Sequence, residues 1–132
     1  MHISTLLPAL LLAGPAAALG INCQGSSSCS ELAFGKTVTK SLANAINNID
    51  TGRWYSNGEH IACYKSICAF LQGTGGAWGS NIKGLAHFIP EHGCTVCGSV
   101  PYYYPGVNDV SQGQLTFNYV SNPKCPDAYW LC

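Results

Sequence analysis

The sequence predicts an α+β fold: a small disulfide-rich two-layer α/β-sandwich, with two helices packed on one face of an antiparallel sheet. Three observations predict it. Two amphipathic helical stripes lie at residues 38–49 and 82–89. Gln114–Val120 alternates with the two-residue period of a half-buried strand. Eight cysteines sit in 132 residues, all after residue 22. An even cysteine count in a short chain with an export signal reads as a disulfide framework. A helix stripe must bury itself against something, and packing both helices on one sheet face does so with fewest assumptions.

The export signal is residues 1–18. An apolar run, Leu6-Leu-Pro-Ala-Leu-Leu-Leu-Ala13, leads through Gly14-Pro15 to Ala16-Ala-Ala18. That is a short apolar core followed by a small-residue cleavage site. Permanent membrane spans need about 20 apolar residues. No Lys or Arg precedes the run, so the α-amino group and His2 supply the positive end. The mature chain is expected to start at Leu19, to act outside the cell, and to form one domain over 19–132.

Charge is low and balanced, with six basic and six acidic side chains. No basic stripe exists, so nucleic acid is not an expected partner. No Asn-x-Ser/Thr sequon occurs. The expected state is a monomer without membrane insertion and without a cofactor.

The elements follow in order. Leu19 to Cys29 reads as a short extended piece and a Ser/Gly loop. Thr37–Asp50 reads as the first helix: Val38, Leu42, Ala45, Ile46 and Ile49 share one stripe, and Gly52 is its stop. His60–Tyr64 and Ser66–Leu71 read as strands, from their β-branched and aromatic content. The glycine-dense Gln72–Gly79 reads as a loop without regular structure. Ser80 is the expected N-cap of the second helix, which carries Ile82, Leu85, Ala86 and Ile89 and stops at Gly93. Cys94–Cys97 should lead into a strand. Pro101-Tyr-Tyr-Tyr-Pro-Gly106 reads as a rigid aromatic loop. The tail holds Cys125 and Cys132 and must be tied down by disulfides.

Several constellations could carry chemistry. Cys94-x-x-Cys97 has the spacing of redox dithiols and zinc ribbons. It follows a helix instead of opening one, and no second pair has matching spacing, so structural disulfides are the better reading. Arg53, Glu59, His60, His87, Glu91 and His92 could supply a small acid–base hydrolase of ribonuclease type. Against that, Glu59 sits in a Gly-rich turn and Glu91-His92 closes a helix. The cluster Tyr102-Tyr103-Tyr104 is the best binding-surface candidate, because flanking prolines limit backbone freedom. The other reading is that one or two of these rings cover the core. Trp54, Trp78 and Trp130 are open to the same two readings.

Three segments carry a resemblance. Leu19-Gly-Ile-Asn-Cys-x-Gly-Ser-Ser-x-Cys29, His92-Gly-Cys-x-Val-Cys-Gly-Ser99 and Gly106-Val-Asn-Asp-Val-Ser-x-Gly-Gln-Leu-Thr-x-Asn-Tyr-Val120 resemble, in order, segments of the killer protein four type of killer toxin, known from a corn smut virus. The resemblance implies a small α/β-sandwich. It also implies a non-enzymatic, secreted antagonist of competing fungi or host cells, with a membrane calcium channel or another cell-surface component of the target cell as partner. It implies the pairs Cys23–Cys94 and Cys29–Cys97. Cys63–Cys125 follows, and Cys68–Cys132 is left by exclusion. The family type carries a basic loop before the cysteine matched by Cys63. Here that stretch is Gly58-Glu-His-Ile-Ala-Cys63, and the nearest cation, Lys65, follows the cysteine. Lys65 and Tyr102–Tyr104 are the expected target-binding residues; the other reading of Lys65 is a solvated strand residue, and weak or no block of calcium uptake relative to a basic relative is expected. A glycan-binding module built on Tyr102–Tyr104 and the small hydrolase are the alternatives.

Overall fold

The computed structural model describes residues 19–125 and 129–132, without the side chains of residues 129 and 130. The segment read as the export signal lies outside the described residues, as does the side chain of Trp130. The helices are α1 (Glu31–Phe34), α2 (Val38–Ile46), α3 (Gly79–Ala86) and α4 (Phe88–Glu91). The strands are β1 (Trp54–Tyr55), β2 (Ala62–Tyr64), β3 (Ile67–Gln72), β4 (Ala77–Trp78), β5 (Gly98–Pro101), β6 (Gln114–Tyr119) and β7 (Tyr129–Leu131). Five strands form one antiparallel sheet in the order β5-β6-β3-β2-β7, and β1 and β4 form a separate two-stranded ribbon.

The expected two-layer α+β architecture is present. Val38, Leu42 and Ile46 of α2, Ile82 and Leu85 of α3 and Ile89 of α4 are buried in one cluster with Ala69, Leu71, Val100, Leu115 and Phe117 of the sheet. The strand pleat explains the selection, since residues 67, 69 and 71 share one face of β3, and 115 and 117 share the matching face of β6. Burying a Leu or Phe side chain of this kind stabilises by about 1.5–3 kcal/mol. The helical stripes are therefore what fix the front layer.

The opposite face differs from expectation. Thr116 was expected on the open side of β6, yet it is buried. Its hydroxyl donates to Gln72 Oε1 at 2.7 Å and meets Ser99 Oγ at 3.0 Å. The N-terminal segment lies across this end of the sheet. Asn22 pairs with Ser99 at the β5 edge, and the Ser26 N–H donates to Asn118 Oδ1 at 3.0 Å. Buried hydroxyls are tolerated here because each is hydrogen-bonded.

Other elements differ as well: the first helix, expected over Thr37–Asp50, ends at Ile46, and the second divides into α3 and α4. Gln72–Gly79 is not wholly irregular: Gly73, Gly75 and Gly76 turn the chain at positive φ, and Ala77–Trp78 then pairs with Trp54–Tyr55 as β4. Trp78, not Ser80, precedes α3. The short helix α1 was not expected. Its N-cap Ser30 accepts from the Leu32 N–H.

Cys23–Cys94 and Cys29–Cys97 join the N-terminal segment to the turn between α4 and β5. The other two pairs are Cys63–Cys68 and Cys125–Cys132, in place of the expected Cys63–Cys125 and Cys68–Cys132. Strand register explains the change. Cys63 lies directly opposite Cys68 in the β2–β3 ladder, with Cα atoms 4.0 Å apart. The expected partner is still close, since Cys125 Sγ lies 3.1 Å from Cys63 Sγ.

Candidate functional site

The β2–β3 hairpin presents the one expected cationic residue. Tyr64 pairs with Ile67, so Lys65 and Ser66 form a two-residue turn. Such turns need positive φ at their first central residue, usually supplied by Gly or Asn. Lys65 takes it with φ of 52°. It is exposed, and its ammonium sits 5.8 Å from the Tyr64 ring centroid, within cation–π range. The Cys63–Cys68 bond closes the hairpin just behind the turn. The result is a covalently closed loop with a positive charge at its tip. The sequence left Lys65 between the strands read over residues 60–64 and 66–71. A lysine gives no turn signal, so the hairpin tip was hidden.

The tyrosine loop divides. Tyr102 and Tyr104 are half-buried against the core, while Tyr103 is 56% exposed. Tyr104 meets Phe88 edge to face at 4.8 Å, and Tyr102 meets Tyr103 at 4.9 Å. Burial, followed by the neighbouring Tyr103, pushes the Tyr102 hydroxyl pKa up. The three rings line a shallow cleft of about 350 Å³ with Asn81, Gly84 and Leu85. Two rings thus follow the core-covering reading, and Tyr103 is the ring offered to solvent.

Among the described residues, five of the six acid–base candidates, all but His92, have partners for their side chains. Glu59 pairs with Arg53 and accepts from the Ser56 N–H at 3.0 Å, which closes the 56–59 turn. The Arg53 guanidinium lies 4.2 Å from the Tyr55 ring centroid. His60 Nδ1 accepts the Lys124 N–H at 2.9 Å. Burial, and secondarily the charge of Lys124, lowers the His60 pKa below its ordinary 6.5. His87 Nδ1 lies 2.8 Å from Glu91 Oε2 on the helical side, an exposed i,i+4 pair. His60 and the sulfurs of Cys63 and Cys68 fall within 4.8 Å of one another. Those sulfurs are bonded to each other, so they are not the thiolates that hold zinc.

Comparison with known proteins places the chain in a family. A family model described as Kp4 matches residues 6–121. The KP4 killer toxin of Ustilago maydis P4 virus is 40% identical over 110 residues, which cover 79% of this chain and 82% of that protein. The chain belongs to the Kp4 killer-toxin family. The Kp4 match takes in the stapled hairpin, Lys65 and the tyrosine loop, and ends before Cys125. The function of this Kp4 member is accordingly killer-toxin-like. Among the described residues, no helix is long and apolar enough to cross a membrane.

Proposed function

We propose that this protein is a secreted, non-catalytic antagonist that stops the growth of competing fungi or host cells, and that it does so by engaging a membrane calcium channel at the target cell surface. Family membership supports the toxin role. The observation that carries the contact residue is the closed hairpin 63–68 with Lys65 at its tip. Rings of acidic side chains at channel mouths attract cations, and a lysine is a compact charge on a reaching stem. A staple behind the turn reduces the ordering cost on binding. The expected weakness of block rested on the missing cation before Cys63. The hairpin places a cation two residues after that cysteine and holds it outward, so Lys65 is the target-contacting charge in this proposal.

The test is growth and calcium influx of fungal and root cells exposed to oxidised protein, wild type against Lys65→Gln, at two ionic strengths. Wild type should block uptake. Lys65→Gln should weaken block at least about tenfold, equivalent to about 1.4 kcal/mol. Raising salt should weaken block only slightly, because a single charge is involved. Block indifferent to Lys65→Gln would overturn the residue assignment, and absence of growth inhibition across the panel would overturn the toxin reading. Turnover of RNA or chitin abolished by Glu59→Gln or His60→Ala would overturn the non-catalytic reading. A glycan site at Tyr102–Tyr104 has less support, since it would rest on Tyr103.

A further inference from the structure

Trp54 and Trp78 form an aromatic corner on the β1–β4 ribbon, away from the hairpin and the tyrosine loop in the chain. They are direct cross-strand partners, their ring centroids lie 5.1 Å apart, and their planes meet at 76°. Trp54 is 45% exposed and Trp78 51%. Tryptophan is a costly residue to leave in water, and a half-exposed pair marks a contact surface. The pair is also fixed. The Trp54 indole packs against Gly76, where an added Cβ would stand 2.5 Å from the ring, and Gly76 itself is at φ of 123°. Trp78 passes directly into α3. The loop beside the rings is polar and neutral: Asn57 Oδ1 accepts from Thr74 N and Oγ1, and Gly75 leaves its surroundings open.

We infer that the Trp54–Trp78 corner is a binding site for a neutral β-linked polysaccharide of the target cell wall. Three considerations select that occupant. The patch comprises two side chains, whereas a stable protein interface buries about 1,200–2,000 Å². A membrane-docking patch would combine aromatic with exposed aliphatic side chains and flanking cations. The exposed residues of this ribbon are aromatic, and its neighbouring cation, Arg53, is held by Glu59 and Tyr55. A β-linked pyranose, by contrast, presents a flat face of C–H groups with small positive charge. That face suits the negative π-face of an indole, while the sugar hydroxyls meet the polar loop. Both glucan and N-acetylglucosamine polymers share this chemistry. The site would concentrate the protein on the target wall, separately from the Lys65 contact.

The experiment is retention of oxidised full-length protein on insoluble β-1,3-glucan, cellulose and chitin, with vesicles of neutral and anionic phospholipid as parallel arms. Soluble hexasaccharides of the retaining polymer are then titrated while the tryptophan side-chain N–H signals are followed by NMR. Wild type should be retained on at least one polysaccharide, and the arms identify which. Trp54→Ala or Trp78→Ala should lower retention at least about tenfold, while Leu32→Ala, at an exposed apolar residue elsewhere, leaves it unchanged. Trp54→Phe and Trp78→Tyr keep a ring and should retain partial binding, which separates lost contact from lost fold. In wild type, the Trp54 and Trp78 signals should shift on titration, a reading that needs no variant. No retention on any polysaccharide, retention untouched by both alanine substitutions, or the same tryptophan dependence on vesicles would each overturn the proposal. Calcium influx measured on wall-free protoplasts keeps this outcome distinct from the toxin reading: losing the Trp site should leave protoplast block intact.

Discussion

The two halves of the covalent frame do different jobs. Cys23–Cys94 and Cys29–Cys97 span 71 and 68 residues and tie the N-terminal segment to the turn before β5. Cys63–Cys68 and Cys125–Cys132 span 5 and 7 and close local structure beside β2. The first half is also interlocked sterically. Asn22 bridges Ser99, and a Cβ on Gly25 would stand 2.7 Å from Cys97 Cβ. The second half gathers four sulfurs into one cluster around a hairpin tip. The long bridges define the fold, and the short ones hold a presented loop and the tail.

The largest expected effect follows from this contrast. In the chain-entropy model, a bridge closing a loop of the first kind stabilises by about 4 kcal/mol, and one of the second kind by about 2 kcal/mol. Cys23→Ala with Cys94→Ala should therefore lower stability to urea about twice as much as Cys63→Ala with Cys68→Ala. Equal losses would show that the short staple shapes more of the fold than its loop length implies. The same contrast predicts the peptide map. Digestion of unreduced protein should release the N-terminal segment joined to residues 94–97, with Cys63 joined to Cys68. Recovery of Cys63 joined to Cys125 would show that the closest inter-pair neighbours in the cluster are the bonded ones.

A smaller effect separates presentation from stability within the hairpin. Lys65 holds φ of 52°, which costs an L-residue roughly 1–2 kcal/mol. Glycine removes that cost but has more freedom to lose on folding. Lys65→Gly should therefore change stability by less than about 1 kcal/mol while removing the charge. Under the proposed function, calcium block falls as much as in Lys65→Gln. A variant that loses block only in step with unfolding would place the role of this position in the fold.

Legibility followed the same division. The helix α2 was readable because Val38, Leu42 and Ile46 repeat at helical spacing, and β6 because Leu115 and Phe117 alternate. Both signals come from burial against a single layer. What stayed hidden was set by chain-distant partners. Thr116 looked solvent-facing, because the partners of its hydroxyl, Ser99 and Gln72, stand 17 and 44 positions away. The strand β4 was masked by the glycines that turn the chain into it, and its partner β1 is two residues long. The Trp54–Trp78 pair exists only through that ribbon register. The Cys63 and Cys68 pairing depended on a hairpin whose turn residue, Lys65, carries no turn signature.

The smallest expected effect is a pH response confined to the short-bridge half. His60 Nδ1 accepts the Lys124 N–H, its ring stands 6.1 Å from Phe70, and it neighbours the Cys63 and Cys68 sulfurs. Burial, then the Lys124 charge, sets its folded pKa below 6.5. Well above pH 6.5 the ring is neutral in both folded and unfolded chains and contributes no slope. As pH falls below 6.5, the unfolded chain takes up the proton before the folded one does. Stability then declines until the lower folded pKa is passed, where the loss levels off. Protonation of Nδ1 also removes the acceptor for Lys124. Amide exchange at Lys124, corrected for intrinsic rate, should therefore accelerate as pH falls below 6.5 and through the lower folded pKa, while the Asn22 and Ser99 amides of the long-bridge half do not change. His60→Gln should abolish the acceleration, because its amide does not titrate. Equal acceleration at Lys124 and Asn22 would mean that acid loosens the whole frame and that the two halves are one cooperative unit.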